Sequence, residues 1–234
     1  MPAHRYFLDS PLTEETATLA GDEFHHVKNV MRARTGDTIE IVNGQGILAH
    51  ARLLEIKNTS ALFKITQRIH QPPPATSIIL AQALTRPALL DWIVEKGTEL
   101  GATHFWLFPG DQSEKKELTP HQLDRLRTLI TSALKQCGRL YLPTLELKPP
   151  LSKWQQPSGT VLFGSLASNS KPLSAGYSSP VIMVIGPEKG FSDQEHTILE
   201  TKLHGTAVTL HPNILRTETA ALCALSLLSQ QLKY

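Results

Sequence analysis

The stretch Val181-Ile182-Met183-Val184-Ile185-Gly186-Pro187-Glu188-Lys189-Gly190-Phe191-Ser192 decides how this chain is read. An apolar run of strand length enters a tight glycine-proline loop. Ser192, with Glu195 three residues later, then opens a helix as a capping box. In open α/β sheets, ligands bind beyond the carboxyl ends of the strands, and glycine lets backbone approach a ligand closely. The loop is therefore a candidate cofactor site, although an ordinary βα turn uses the same residue types. It is not a phosphate loop, because Lys189 precedes the second glycine and Phe191 follows it. Nor is it a dinucleotide fingerprint, since G-x-G-x-x-G is absent.

Strand-like and helix-like segments alternate on both sides of this stretch. Ser77–Leu84, His104–Phe108, Thr160–Leu166 and Ala207–Leu210 read as strands. Ala88–Leu100 and Thr217–Leu232 read as helices, and Leu123, Leu126, Ile130, Ala133, Leu134 and Cys137 keep helical spacing on one face. The alternation predicts an α/β domain with a mainly parallel sheet over residues 78–234. Gln71-Pro72-Pro73-Pro74-Ala75-Thr76-Ser77 can continue neither helix nor ladder and is taken as a linker, 71–77. Before it, 38–42, 47–56 and 61–69 read as short strands around the turn Asn43-Gly44-Gln45-Gly46. That pattern predicts a small β-barrel over 1–70.

Composition sets bounds. The chain has 234 residues, 41% apolar and 19% charged, which suits a globular protein with a real core. A net charge of +2 does not by itself suggest nucleic acid, so any RNA-binding cations must be clustered. Cys137 and Cys223 lie far apart in apolar surroundings, which predicts buried structural roles in a reducing compartment and argues against zinc or redox chemistry. Residues 1–10 carry no signal-peptide run and no apolar stretch reaches the ~18 residues of a membrane span. The reading is a cytoplasmic protein without a membrane segment or metal.

Three further segments could carry chemistry. Ile214-Leu215-Arg216-Thr217-Glu218-Thr219-Ala220 follows a strand and opens the last helix. Capping explains Thr217 and Glu218, but a cation at a helix N-terminus is mildly unfavourable, so Arg216 needs Glu218 or an anion as partner. His25-His26-Val27-Lys28-Asn29-Val30-Met31-Arg32-Ala33-Arg34 gathers three fixed cations without an acid, as phosphate contacts require; a solvated helix face would look the same. In Leu90–Gly101 the apolar positions read as packing, Trp92 as core, Asp91, Glu95 and Glu99 as a wet face, and Gly101 as the helix C-cap.

Taken in order, HHVKNVMRARTGD, LDWIVEKGTELG, KQCGRLYLP, IGPEKGFSDQE and ILRTETAAL span His25 to Leu222. This set resembles the RsmE family of 16S ribosomal RNA (uracil-N3)-methyltransferases in the SPOUT superfamily. The resemblance implies a PUA- or OB-like barrel followed by a SPOUT α/β domain with a C-terminal trefoil knot. It implies a homodimer that takes S-adenosyl-L-methionine and acts on 16S ribosomal RNA or the small ribosomal subunit. It places the cofactor against Leu162, Gly164, Gly186, Pro187, Glu188, Gly190, Leu210, Ile214, Leu215, Arg216, Thr217 and Thr219. Catalysis is expected from Arg216 and Glu218, and RNA contacts from Arg5, Lys28, Arg32 and Arg34.

The chain departs from the family pattern at three places. Lys189 stands where the family loop has glycine, and would be strained if that position needs a positive φ. His211-Pro212-Asn213 replaces a glycine and arginine ahead of ILRTETA, and Arg86-Pro87 replaces a lysine-glycine pair. Two other readings therefore stay open: a non-catalytic RNA-binding or ribosome-assembly factor, and another SPOUT methylation such as that of a ribose 2′-oxygen or a guanine. A nucleotide-dependent enzyme is set aside for want of a phosphate loop.

Overall fold

The computed structural model describes residues 4–167, 170–174 and 176–230. The chain forms two compact units, one of residues 1–73 with 131–142, the other of 74–130 with 143–234. Among the described residues the first holds a curled five-stranded sheet and the second a seven-stranded sheet.

In the first unit the order is β1 (Arg5–Phe7), β3 (Thr38–Val42), β4 (Ile47–Ile56), β5 (Ser60–His70) and β2 (Thr16–Ala20). The β1–β3 pair is parallel and the rest antiparallel, with irregularities in β4 after His50 and Leu53 that bend the long ribbon. The turn read at Asn43–Gly46 is present. Asn43 Oδ1 accepts from Gln45 N and Ile47 N at 2.9 and 3.0 Å. Gly44 takes φ +70 and Gly46 φ +92, the left-handed region that such a turn demands. Tyr6, Leu19, Ile41, Leu53 and Phe63 fill the curl. Helix α1 (Gly21–His25) runs into a π-helical turn, His26–Val30, instead of a longer regular helix. The last residues of α3 (Pro120–Cys137) belong to this unit, where Leu134 and Leu140 pack with Val42 and Leu48.

In the second unit the order is β10 (Lys171–Pro172), β12 (Thr206–Thr209), β9 (Thr160–Gly164), β11 (Val181–Ile185), β6 (Ile78–Ala83), β7 (His104–Phe108) and β8 (Thr144–Leu147). Every pairing is parallel, as the alternation predicts. Central strands β6 and β11 are buried throughout, the reason their sequences read as unbroken apolar runs. One face packs Ile79, Val161, Phe163 and Val184 on Leu151, Trp154, Leu199 and Leu203. Helices α2 (Pro87–Glu99) and α5 (Thr217–Ser229) contact each other, and α5 also contacts β6 and β11. After β12 the chain thus turns back past β9 to β11 and β6. The sequence reading carries α5 to Leu232; residues 231–234 lie outside those described.

Two expectations need correction. Trp92 is not core: it is 50% exposed, with Lys96 Nζ 5.3 Å from its ring. The helix turns its other faces inward, burying Leu90, Ile93, Val94 and Gly97. Both cysteines are partly exposed instead of buried. Asp91, Glu95 and Glu99 do hold ion pairs, with Arg125 and with Lys96. Gly101 takes φ +99 at the end of α2, as a glycine C-cap does. Among the described residues no helix is long and apolar enough to cross a membrane.

Gly97 sets how closely α2 lies on the sheet. A Cβ there would stand 2.8 Å from Phe105 Cε1 and 3.2 Å from Leu225 Cδ1. Alanine gains about 1 kcal/mol of helix propensity, whereas overpacking costs about 1–3 kcal/mol. Gly97→Ala should lower the thermal midpoint, read by calorimetry or circular dichroism; an unchanged or higher midpoint would show that the ring yields freely.

Candidate functional site

Strands β12, β9 and β11 are adjacent and parallel, so their carboxyl ends emerge side by side. A cavity of about 390 Å³ opens there, bounded by three chain segments. Gly164, Ser165 and Leu166 continue β9; Ile185 to Phe191 continue β11; Thr209, Leu210, His211, Asn213, Ile214 and Leu215 lead from β12 to α5. His196, Thr217 and Ala220 complete the lining.

The loop after β11 is a tight turn, with Gly190 N donating to Pro187 O at 2.9 Å. The positive φ falls on Gly190, at +79, and Lys189 is not among the residues in that region. The lysine is thus unstrained and presents an exposed cation at the cavity. The capping box forms as read: Ser192 Oγ accepts from Glu195 N at 3.1 Å, and Glu195 Oε2 from Ser192 N at 2.9 Å. Glu195 Oε1 also accepts from Asp111 N, which fixes the loop from below. Glu188 accepts from the backbone N–H of Arg86 at 3.3 Å, and the Arg86 side chain pairs with Glu114 at 3.6 Å. Pro87 occupies the first turn of α2, where its missing N–H costs nothing.

Of the residues expected at the cofactor, Gly164, Gly186, Pro187, Glu188, Gly190, Leu210, Ile214, Leu215 and Thr217 line one cavity. Leu162 lies fully buried within β9, while Arg216, Glu218 and Thr219 stand outside the lining. Thr217 does not cap its own helix. Its hydroxyl donates to Gly186 O at 2.6 Å. Arg216 is the N-cap residue, without a side-chain cap. It is exposed and, among the described residues, has no ion-pair partner, so Glu218 does not pair with it.

One lining residue, His196, was not singled out from sequence. His196 reaches the cavity from α4 (Asp193–Thr197), edge-on to Phe163 and Phe191 at 5.8 and 5.6 Å. In the departing segment, His211 Nδ1 accepts from Asn213 N at 3.0 Å, so this loop carries its own brace. The Cys223 thiol donates to Leu210 O at 3.6 Å, and burial pushes its pKa up. Only its position just past the capping box that follows the loop from Gly186 to Gly190 could have flagged His196.

The basic cluster lies in the first unit. Lys28, Arg32 and Arg34 are exposed around the π-helical turn, with Lys28 Nζ 5.5 Å from the Phe24 ring and Arg32 at φ +53. Tyr6, whose hydroxyl donates to Met31 Sδ and meets His26 Nδ1 at 3.2 Å, anchors the turn from beneath. Burial, then the nearby Glu23 charge, raises the Tyr6 pKa to about 12. Arg5 is placed differently: its side chain is 9% exposed and pairs with Glu40 at 2.8 Å.

Residues 71–229 match the RNA methyltransferase domain family, and residues 19–66 match the RNA methyltransferase PUA domain. The chain is 30% identical to ribosomal RNA small subunit methyltransferase E of Bacillus subtilis, covering 97% of this chain and 96% of that protein. It is 27% identical to the structure of ribosomal RNA small subunit methyltransferase E from Neisseria gonorrhoeae bound to S-adenosyl methionine. That match has a TM-score of 0.83 and covers 96% of this chain and 95% of the other. The same fold recurs in a Legionella pneumophila methyltransferase at 24% identity, a TM-score of 0.87 and 95% coverage of both chains. A PUA domain, a SPOUT-type α/β domain built on a parallel seven-stranded sheet, and these matches across nearly the whole length place the chain in the ribosomal RNA small subunit methyltransferase E family of RNA methyltransferases.

Proposed function

We propose that this protein transfers a methyl group from S-adenosylmethionine to N3 of a uridine in 16S ribosomal RNA, acting as a cytoplasmic homodimer. The observation that carries this reading is the cavity at the ends of β9, β11 and β12. Its volume lies in the usual range for small-molecule sites, roughly 300–1,000 Å³. Leu166, Ile185, Leu210, Ile214 and Leu215 offer apolar walls for an adenine ring; Glu188 offers a carboxylate for a cation and Lys189 an ammonium for a carboxylate. At Gly164 a Cβ would sit 3.5 Å from Ile185 Cδ1 and 3.9 Å from Leu210 Cδ1, so the glycine keeps space open. These features fit an amphiphilic, zwitterionic cofactor carrying a cationic sulfur.

When bound, the cofactor supplies a methyl group on a sulfonium, open to in-line displacement. The chain's work is to hold the two reactants in line and to manage one proton. Uracil N3 carries a proton at neutral pH, and as it leaves, negative charge spreads onto the neighbouring carbonyls. Arg216, an exposed cation without an ion-pair partner among the described residues, is assigned to that charge. Glu218, in the first turn of α5, is assigned to accepting the proton or orienting Arg216. Lys28, Arg32 and Arg34 are assigned to phosphate contacts. Ile214 and Leu166 are exposed large apolar side chains at the cavity rim, surface of the kind that a second copy would cover.

Three tests follow from these assignments. Purified protein with S-adenosylmethionine and unmodified small subunits should yield N3-methyluridine on mass spectrometry of digested RNA. A 2′-O-methyl nucleoside or methylguanine would transfer the reading to another reaction of the superfamily. Arg216→Ala should keep the fold and cofactor affinity while turnover falls on the order of 100-fold, as when a charge-stabilising donor is lost; near-normal turnover would remove Arg216 from the chemistry. Gly164→Leu should fold yet bind S-adenosylmethionine at least about tenfold more weakly by calorimetry, the equivalent of ~1.4 kcal/mol. Undiminished affinity would move the cofactor elsewhere.

A further inference from the structure

Strand β6 reads Ile78-Ile79-Leu80-Ala81-Gln82-Ala83, with one polar side chain in a fully buried strand. Gln82 has no solvent exposure, yet it is the paired neighbour of Ile185, the last residue of β11 before the cofactor loop. Its amide nitrogen lies within donating distance of Ala83 O at 3.0 Å, Thr217 Oγ1 at 3.1 Å and Gly186 O at 3.4 Å. Thr217 Oγ1 accepts from Gln82 and itself donates to Gly186 O. Gln82 Oε1 is buried without a hydrogen-bond partner. Turning the amide over would point that oxygen at three other oxygens, so the orientation is determined by its surroundings.

A leucine or methionine would fill this position without leaving a buried acceptor unpaired. What an amide adds is bonds from β6 to the first residue of the loop, 104 residues on, and to the first residue of α5, 135 residues on. We propose that Gln82 is a positioning residue of the methyl-transfer site, setting the distance between the loop that bounds the cavity and the helix start that bears Arg216. It touches neither the cavity nor Arg216 and acts through Gly186 and Thr217. Linked bonds of this kind polarise one another, and sites held by such a supporting layer lose function when it is left to chance. The inference rests on the reading of the cavity as the S-adenosylmethionine site.

The test compares wild-type protein, Gln82→Met and Trp154→Phe. The last removes the bond from Trp154 Nε1 to Pro149 O, away from the cavity lining. Wild-type binding of S-adenosylmethionine is measured first; failure there rejects the cofactor reading itself. Given wild-type binding, Gln82→Met should weaken affinity about tenfold and lower kcat further with KM for RNA unchanged, while Trp154→Phe lowers thermal stability but leaves affinity and kcat as they were. Equal affinity and kcat in Gln82→Met and wild type, or the same loss of both in Trp154→Phe, would overturn the proposal. A measurement on wild type stands even if Gln82→Met fails to fold. The Gln82 side-chain amide protons should exchange slowly with solvent and shift on adding S-adenosylmethionine in nuclear magnetic resonance. Fast exchange, or no shift at saturation, would equally overturn it.

Discussion

The hydroxyl of Thr217 donates to the carbonyl of Gly186 across 31 residues of sequence. Gly186 follows a strand in the middle of the parallel sheet; Thr217 begins the final helix after the chain has gone out to β12 and returned. Joining these points brings three strand ends and one helix start to the same cavity. The residue before Thr217, Arg216, holds the N-cap position without a side-chain cap and is exposed beside the cavity segments. A feature that is mildly unfavourable for the helix is thereby available to an anionic group. The fold and the proposed chemistry meet at this bond.

Much of the second unit could be read from sequence because its physics is local. Val181–Ile185 is apolar throughout, as a strand covered on both faces must be, and Ser192 with Glu195 satisfies helix-end groups within a single turn. Gly186, Gly190 and Leu210–Leu215 were legible for the same reason: they abut strands whose ends must open somewhere. Lys189 looked costly only while the position of the positive φ was unknown; Gly190 carries it.

What escaped the sequence depends on which faces meet. Helical spacing identifies an apolar face but not what covers it, so the return of 131–142 to the first unit was not readable. The same gap placed Trp92 in the core, where geometry leaves it half-exposed beside Lys96. Arg5 was expected only as an RNA contact, and its ion pair with Glu40, set by the parallel pairing of β1 with β3, could not be read from sequence. His196 sits one residue past a recognised cap, but its approach to the cavity depends on Phe163 and Phe191 on both sides. Gln82 did leave a mark, a lone amide in an apolar strand, whose meaning needed the tertiary partners.

The central claim is that the strand-end cavity holds S-adenosylmethionine. The most direct test is a calorimetric titration of the purified wild-type chain with S-adenosylmethionine, with adenosine triphosphate as the competing ligand of like adenosine. Saturable binding of the first and none of the second is the predicted result, since the cavity has apolar walls and one loop carboxylate but no phosphate-cradling motif. Folded protein that binds neither, or binds both alike, would contradict the account.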